Sequence, residues 1–249
     1  MDIIALSRSN IASEHICCAF SDKKCLPGYE AKKNWLRERF DEGYQFRKLN
    51  VRGKVFIQYG KAELAWAPVE APGYLMIDCF WVSGQYKGQG YGKALLHECI
   101  ADAQNTNGLV VVASTRKMPF MSDRKFLATQ GFELCDSATP YFELWYKPMN
   151  AFATKPKFSD CARNGRCDVD TGLAVYYTDA CPFTDYYINT ELASMAGERG
   201  IPLIIKKIQT IDEARHHFVP FTLHSLFYNG QFVTQQILSK STFDKFIKV

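Results

Sequence analysis

Hydrophobic and polar positions alternate along this chain in two rhythms, and they divide it into two blocks. In the first, an apolar start at 3–6 predicts a strand. Residues 11–20 and 29–40 read as helices, the second carrying Trp35, Leu36 and Phe40 with Lys and Arg between them. Alternating segments at 44–51, 54–59 and 62–66, broken by Arg52-Gly53 and Gly60, predict strands. Residues 74–82 form a nearly unbroken apolar strand. A glycine-rich turn then opens a helix at about 90–104, with Leu95, Leu96, Cys99, Ile100 and Ala103 on one face. Asn107-Gly108 stops that helix, and 109–114 predicts a strand buried on both faces. A helix near 123–130 and strands near 132–135 and 141–147 complete an α/β pattern.

The second block reads strand (173–177), helix (182–199), strand (203–208), short helix (211–216), hairpin (222–227 and 231–235) and a helix from Ser241. Asn229-Gly230 is a strong type I′ hairpin signal. Residues 148–158 carry two prolines and little periodicity, which places a linker at 149–170 between domains at 1–148 and 171–249.

Length and composition narrow the function classes. The chain has 249 residues, 47% apolar and 22% charged, so it is long enough for a sizeable core and is neither disordered nor fibrous. A net charge of +4 with no block of five basic residues gives no footprint for nucleic acid or a membrane surface. The longest apolar run, 109–113, is far short of a membrane span. Asp2 stands where an export signal wants Lys or Arg, so the expected location is cytoplasmic. Nine cysteines, an odd number with no Cys-x-x-Cys pair, predict reduced thiols and no zinc ribbon; no metal is expected. The sequence does not define the oligomeric state.

The most informative string runs from Phe80 to Leu96: Val82, Ser83, Gly84, Gln85, Tyr86, Lys87, Gly88, Gln89, Gly90, Tyr91, Gly92, Lys93 lie between a buried strand and an amphipathic helix. Glycines let backbone N–H groups turn towards an anion, and the helix N-terminus adds partial positive charge, so the turn suits a pyrophosphate. It is neither a P-loop nor a Gly-x-Gly-x-x-Gly fingerprint. Here the chain resembles the GNAT (Gcn5-related) N-acetyltransferases, whose acyl-CoA motif is Arg/Gln-x-x-Gly-x-Gly/Ala. Gln85-x-x-Gly88-x-Gly90 and Lys87-x-x-Gly90-x-Gly92 both fit, the second being the family's usual frame with Lys87 in place of Arg. The resemblance covers about residues 1–148, with Phe126 to Phe132 similar to the family's closing helix-to-strand element. It implies a GNAT acyl-CoA N-acyltransferase fold and acetyl-CoA as co-substrate. It further implies two splayed strands, with the pantetheine arm pairing near Val82 and the phosphates on amides of Lys87 to Lys93.

Transfer needs an amine freed of its proton, a backbone N–H on the thioester carbonyl and an acid for the leaving thiolate. Asp78, whose pKa burial would raise, is a candidate base, and Glu143 is a second. Many family members place a Tyr acid at the position matching Leu127, which cannot donate a proton. Tyr141, Tyr146, water or the amine itself stands in, or catalysis is weak.

In the second block, Cys181 stands between a strand and a helix with Pro182 at the first helical position, and a helix N-terminus lowers a thiol's pKa. Pro220 precedes a strand, where thioredoxin-like proteins keep a cis-proline beside the active thiol. The βαβαββα order is similar to a thioredoxin-like, monothiol glutaredoxin-like domain, with Thr184 where a dithiol enzyme has its second Cys. The pairing of the blocks resembles the YoaP-type acetyltransferases through Cys181-Pro-Phe-Thr and Ser225-Leu-Phe-Tyr-Asn-Gly. His216, His217 and His224 flank Pro220 and read as solvated surface residues. The expected function is acetyl transfer from acetyl-CoA to a primary amine of a small molecule or peptide. The alternative is an acyl-CoA sensor or a thiol- or peptide-binding protein.

Overall fold

A computed structural model describes residues 2–247. A seven-stranded sheet organises the first block, in the order β1-β2-β3-β5-β6-β8-β7. Its strands are β1 (Ile3–Ala5), β2 (Gln45–Leu49), β3 (Val55–Lys61), β5 (Tyr74–Val82), β6 (Gly108–Ser114), β7 (Glu133–Ala138) and β8 (Phe142–Pro148). Helices α1 (Leu26–Asp41), α2 (Tyr91–Asp102) and α3 (Arg124–Thr129) accompany it. The full burial of Leu109, Val110 and Ala113 explains why β6 reads as a continuous apolar run.

Two expected elements of this block differ. Residues 11–20 form turns: Cys17 and Ala19 have φ 65° and 57°, incompatible with a right-handed helix, and the turns bring Ile11, Ile16 and Cys17 into one core cluster. Residues 62–66 form a 3₁₀ turn (Ala62–Leu64), and the strand comes later, as β4 (Val69–Glu70).

Most strand pairs are antiparallel, but β5 and β6 run parallel and pair only from Tyr74↔Gly108 to Ile77↔Val111. On the other side of β5 the register with β3 steps from Tyr59↔Ile77 to Gln58↔Cys79, leaving Asp78 as an extra residue opposite nothing. Such a bulge bends its strand and re-aims a side chain. It sits where β5 leaves β6, and the sheet is split beyond it.

The second block forms a four-stranded sheet in the order β11-β10-β12-β13. These are β10 (Leu173–Tyr177), β11 (Leu203–Lys207), β12 (His224–Tyr228) and β13 (Gln231–Thr234). The first pair is parallel and the others antiparallel. Helix α4 (Thr184–Tyr186) continues through a π-helical stretch, Tyr187–Leu192, into α5 (Ala193–Glu198), and α6 (Ile211–Arg215) and α7 (Lys240–Phe246) follow. Asn229 and Gly230 have φ 48° and 77°, the two positive values a type I′ turn requires.

The segment after β8 runs back over the first block. Its strand β9 (Lys157–Phe158) pairs with β4, Phe158 is fully buried, and Arg163 forms an ion pair with Asp136 at 2.6 Å. One apolar cluster spans both blocks, joining Val69, Tyr74 and Phe142 to Tyr176, Phe221 and Phe227. At the tightest contact, a Cβ on Gly28 of α1 would lie 2.5 Å from the Pro182 carbonyl oxygen.

Candidate active site

The split between β5 and β6 opens a cleft of about 950 Å³ on one side of the sheet. Phe80 to Val82 form one wall, Ser114 to Met118 the other, and Lys87 to Lys93 its mouth. The turn is built by conformation: Gly84, Gly88 and Gly90 have φ of 57°, 76° and 81°, values that L side chains rarely adopt. A Cβ at any of the three would meet only open space. Gly90 caps α2, and the first amide bonded into the helix is Ala94 N–H, on the Gly90 carbonyl at 3.0 Å. The amides of Tyr91, Gly92 and Lys93 therefore have no helix carbonyl to meet and face the mouth at the positive end of the helix dipole. Gly92 is different. Its φ is ordinary, and a Cβ there would touch Phe80 and Phe126 at 3.6–3.7 Å.

On the other side of the split lies a cavity of about 40 Å³ between the two blocks. Asp78, Tyr44, Trp35 and Trp66 line it from the first block, and Ala180 and Pro220 to Leu223 from the second. A chain of donors ends on Asp78. Lys32 Nζ donates to Gln58 Oε1 at 2.6 Å, Gln58 Nε2 donates to the Tyr44 hydroxyl at 2.7 Å, and that hydroxyl donates to Asp78 Oδ2. Burial pushes the Asp78 carboxyl up to about 6, against the opposing pull of Tyr44 and Lys32. Asp78 is half-buried and lines the cavity. Tyr44, Gln58 and Lys32 carry no motif in the sequence. Only the fold brings them to Asp78: Gln58 from β3, antiparallel to β5, Tyr44 from the residue before β2, and Lys32 from α1.

The other expected acid–base groups lie elsewhere. Glu143 on β8 is buried and uses both oxygens: Arg124 donates to one at 3.1 Å and Trp145 Nε1 to the other at 2.9 Å. It lines neither cavity, although Arg124 lines the cleft. The Tyr141 hydroxyl bonds to Gln235 of the second block, beneath the cleft residue Arg116, whose guanidinium lies 5.5 Å from the ring centroid. Tyr146 lies under Lys155 and packs in the shared core. Leu127 is fully buried.

Three expectations for the second block are corrected. Cys181 is buried beside Lys32, and burial raises its pKa where the helix N-terminus was expected to lower it. The Val219–Pro220 bond is trans; the cis bond among the described residues is Thr139–Pro140. His217 and His224 are buried, at 2% and 4% exposure, and only His216 is on the surface. Thr184, in the place of a second thiol, donates to the carbonyls of Thr178 and Cys181 and so ties the turn together. All nine cysteines are free, and no cluster of His, Cys, Asp or Glu able to hold a metal occurs among the described residues. No described helix is long and apolar enough to cross a membrane.

Two family profiles match the chain: "Acetyltransferase (GNAT) family" over residues 12–132 and "YoaP-like" over 202–245. The "Uncharacterized N-acetyltransferase YoaP" of Bacillus subtilis (strain 168) is 38% identical over 249 residues, 99% of this chain and 98% of that protein. Among solved structures, a GNAT family acetyltransferase from Staphylococcus aureus Mu50 is 17% identical. The match covers 60% of this chain and 99% of that one, with a TM-score of 0.42. YhbS from Escherichia coli, solved with CoA, is 12% identical over 64% of this chain and 89% of its own, with a TM-score of 0.40.

Proposed function

From a chain that belongs to the YoaP-type GNAT N-acetyltransferases, and is therefore an acyltransferase, we propose acetyl transfer from acetyl-CoA to a primary amine, with the two substrates on opposite sides of the split sheet. The observation that carries this reading is the bulge at Asp78. Its carboxylate lines the cavity between the blocks, and two residues on, at Phe80, the same strand begins to line the cleft behind the glycine turn.

The cleft suits acetyl-CoA in size and in donors: open glycine backbone, unbonded amides of α2 and a free edge on β5 beyond Ile77. When bound, acetyl-CoA supplies the activated acyl group. The chain's residues do the rest. Amides of Lys87 to Lys93 hold phosphate oxygens, and β5 offers Val82 and its neighbours to the pantetheine arm. Asp78, ionised above about pH 6, takes the proton of the ammonium. The donor chain from Lys32 through Gln58 and Tyr44 keeps that carboxylate turned towards the cavity. Tyr141 and Tyr146 are engaged elsewhere, so the thiolate takes its proton from water or from the amine.

We read the second block as thioredoxin-like on its βαβαββα order and on a strand order that puts the first strand beside the second and third. Its use here is as a wall of the acceptor cavity, through the turns at Cys181 and Pro220. A buried Cys181 of raised pKa gives a thiol-exchange role no support. Titration calorimetry with acetyl-CoA, followed by an amine screen reading released CoA thiol, tests the reading. It expects saturable binding and acetyl-CoA-dependent turnover, and absence of binding overturns it.

A further inference from the structure

We propose that the cavity between the blocks takes the end of an unbranched alkylamine, and that it turns away α-amino acids and peptide N-termini. This rests on acetyl transfer at Asp78 and adds the chemistry of the acceptor.

The polar side chains on the cavity wall are nearly all committed to partners within the protein. Gln58 is committed at both ends, its oxygen to Lys32 and its amide to Tyr44. Tyr44 donates to Asp78, and Thr222 Oγ1 donates to the Trp66 carbonyl. The indole N–H groups of Trp35 and Trp66 have no partner, but neither nitrogen has accessible surface, so neither offers a donor to a ligand. Lys32 stands behind Gln58, its ammonium held by Gln58 and by the Ala180 carbonyl. Among the side-chain groups of the wall, the one left uncommitted is a carboxylate oxygen, Asp78 Oδ1, surrounded by aromatic and aliphatic side chains. An ammonium is matched by that oxygen and by aromatic faces. A ligand carboxylate or amide near the amine would enter with no side-chain donor to meet it, a costly burial.

Size points the same way. The roughly 40 Å³ cavity has room for about three water-sized groups, which fits a nitrogen and two methylenes in line. A substituent on the first carbon, which every α-amino acid except glycine carries besides its carboxylate, needs further room in a cavity walled by Phe221 and Leu223. Those two side chains come from the second block and are placed to set the acceptor size.

The test compares propylamine, isopropylamine, alanine and alaninamide as acceptors, with CoA release as readout. Propylamine is expected to exceed alanine and alaninamide in kcat/KM by about 100-fold or more. Leu223→Ala is expected to raise the isopropylamine-to-propylamine ratio of kcat/KM about 10-fold, with acetyl-CoA affinity unchanged by calorimetry. Phe221→Leu, a milder change in the same wall, replaces it should Leu223→Ala not fold. Comparable turnover of alanine or alaninamide overturns the proposal, as does a ratio that neither variant moves. Acetyl-CoA binding with no turnover of propylamine also overturns it while leaving acetyl transfer standing. Loss of acetyl-CoA binding itself would instead count against the proposed function.

Discussion

Asp78 owes its grip on a proton to burial, and Tyr44 restrains it by donating to the ionised form. Two outcomes follow. Acceptor kcat/KM should fall about tenfold per pH unit below pH 6 and level off above it, and Asp78→Asn should lose that limb together with about 10²- to 10⁴-fold of rate. Tyr44→Phe removes a donor from the carboxylate, so the limb should move to higher pH with the plateau less affected. A pH–rate series on the three proteins checks both. Stability gives an independent sign. A folded-state pKa above the unfolded 3.8 means that ionisation costs the fold about 2–3 kcal/mol once pH passes 6. Asp78→Asn is therefore expected to melt no lower than the parent at pH 7 while turning over far more slowly. Asp78 was legible because an acid inside Ile77-Asp78-Cys79-Phe80 has few solvated places to go. Tyr44, Gln58 and Lys32 were not, since a helix, a loop and a strand far apart in the chain meet only in the fold. The placing of Glu143 was not legible for the converse reason: Arg124 and Trp145, which engage both its oxygens, are invisible to a reading of burial alone.

At the scale of elements, the turn before α2 separates two ways of losing the cleft. Gly90→Val forces a β-branched residue to φ 81°, so it should strain the turn as well as weaken acetyl-CoA binding. Gly92→Val adds methyl groups beside Phe80 and Phe126 at an ordinary φ, so it should weaken acetyl-CoA binding with little change in melting temperature. Calorimetry and thermal melts on both variants distinguish the outcomes. The strands 74–82 and 173–177 are legible to the residue, because runs that are apolar but for Asp78 are bounded by Pro72-Gly73, Ser83-Gly84, Gly172 and Thr178-Asp179. The helix expected at 11–20 was not there. Its apolar residues enter one core cluster from a run of turns, with Cys17 and Ala19 at positive φ, and a periodicity count cannot tell that from a helical face. The bulge itself left no sequence signal, although it decides where the sheet splits.

For the molecule as a whole, contact between the blocks is the variable. Gly28 has no room for a side chain against Pro182, so Gly28→Val should loosen the contact, raising acceptor KM more than it lowers acetyl-CoA affinity. Steady-state kinetics beside calorimetry reads both. Burial holds His217 and His224 at about 3 and 4, below the unfolded value of 6.5, so stability is lost as pH falls from 6.5 towards 4. Each histidine costs about 1.4 kcal/mol per pH unit there, and protonation of Asp78 returns about as much below pH 6. Denaturant titrations at pH 7 and pH 5 should therefore show a net loss at pH 5, reduced by a His217 variant that folds without a titratable ring. The sequence showed two blocks but not how closely they would join, because the joining residues, among them Tyr141, Gln235 and Phe221, read separately as ordinary strand and loop positions.

The split sheet also has a kinetic consequence. Because cleft and cavity open on opposite sides of β5 and β6, neither substrate has to leave before the other arrives, and no residue has to carry the acyl group between them. Initial rates with both substrates varied should give intersecting double-reciprocal lines. A CoA analogue lacking the thiol should compete with acetyl-CoA and leave the amine's apparent affinity untouched. Parallel lines, the mark of an acylated enzyme, would mean that the two openings do not serve the two substrates at once.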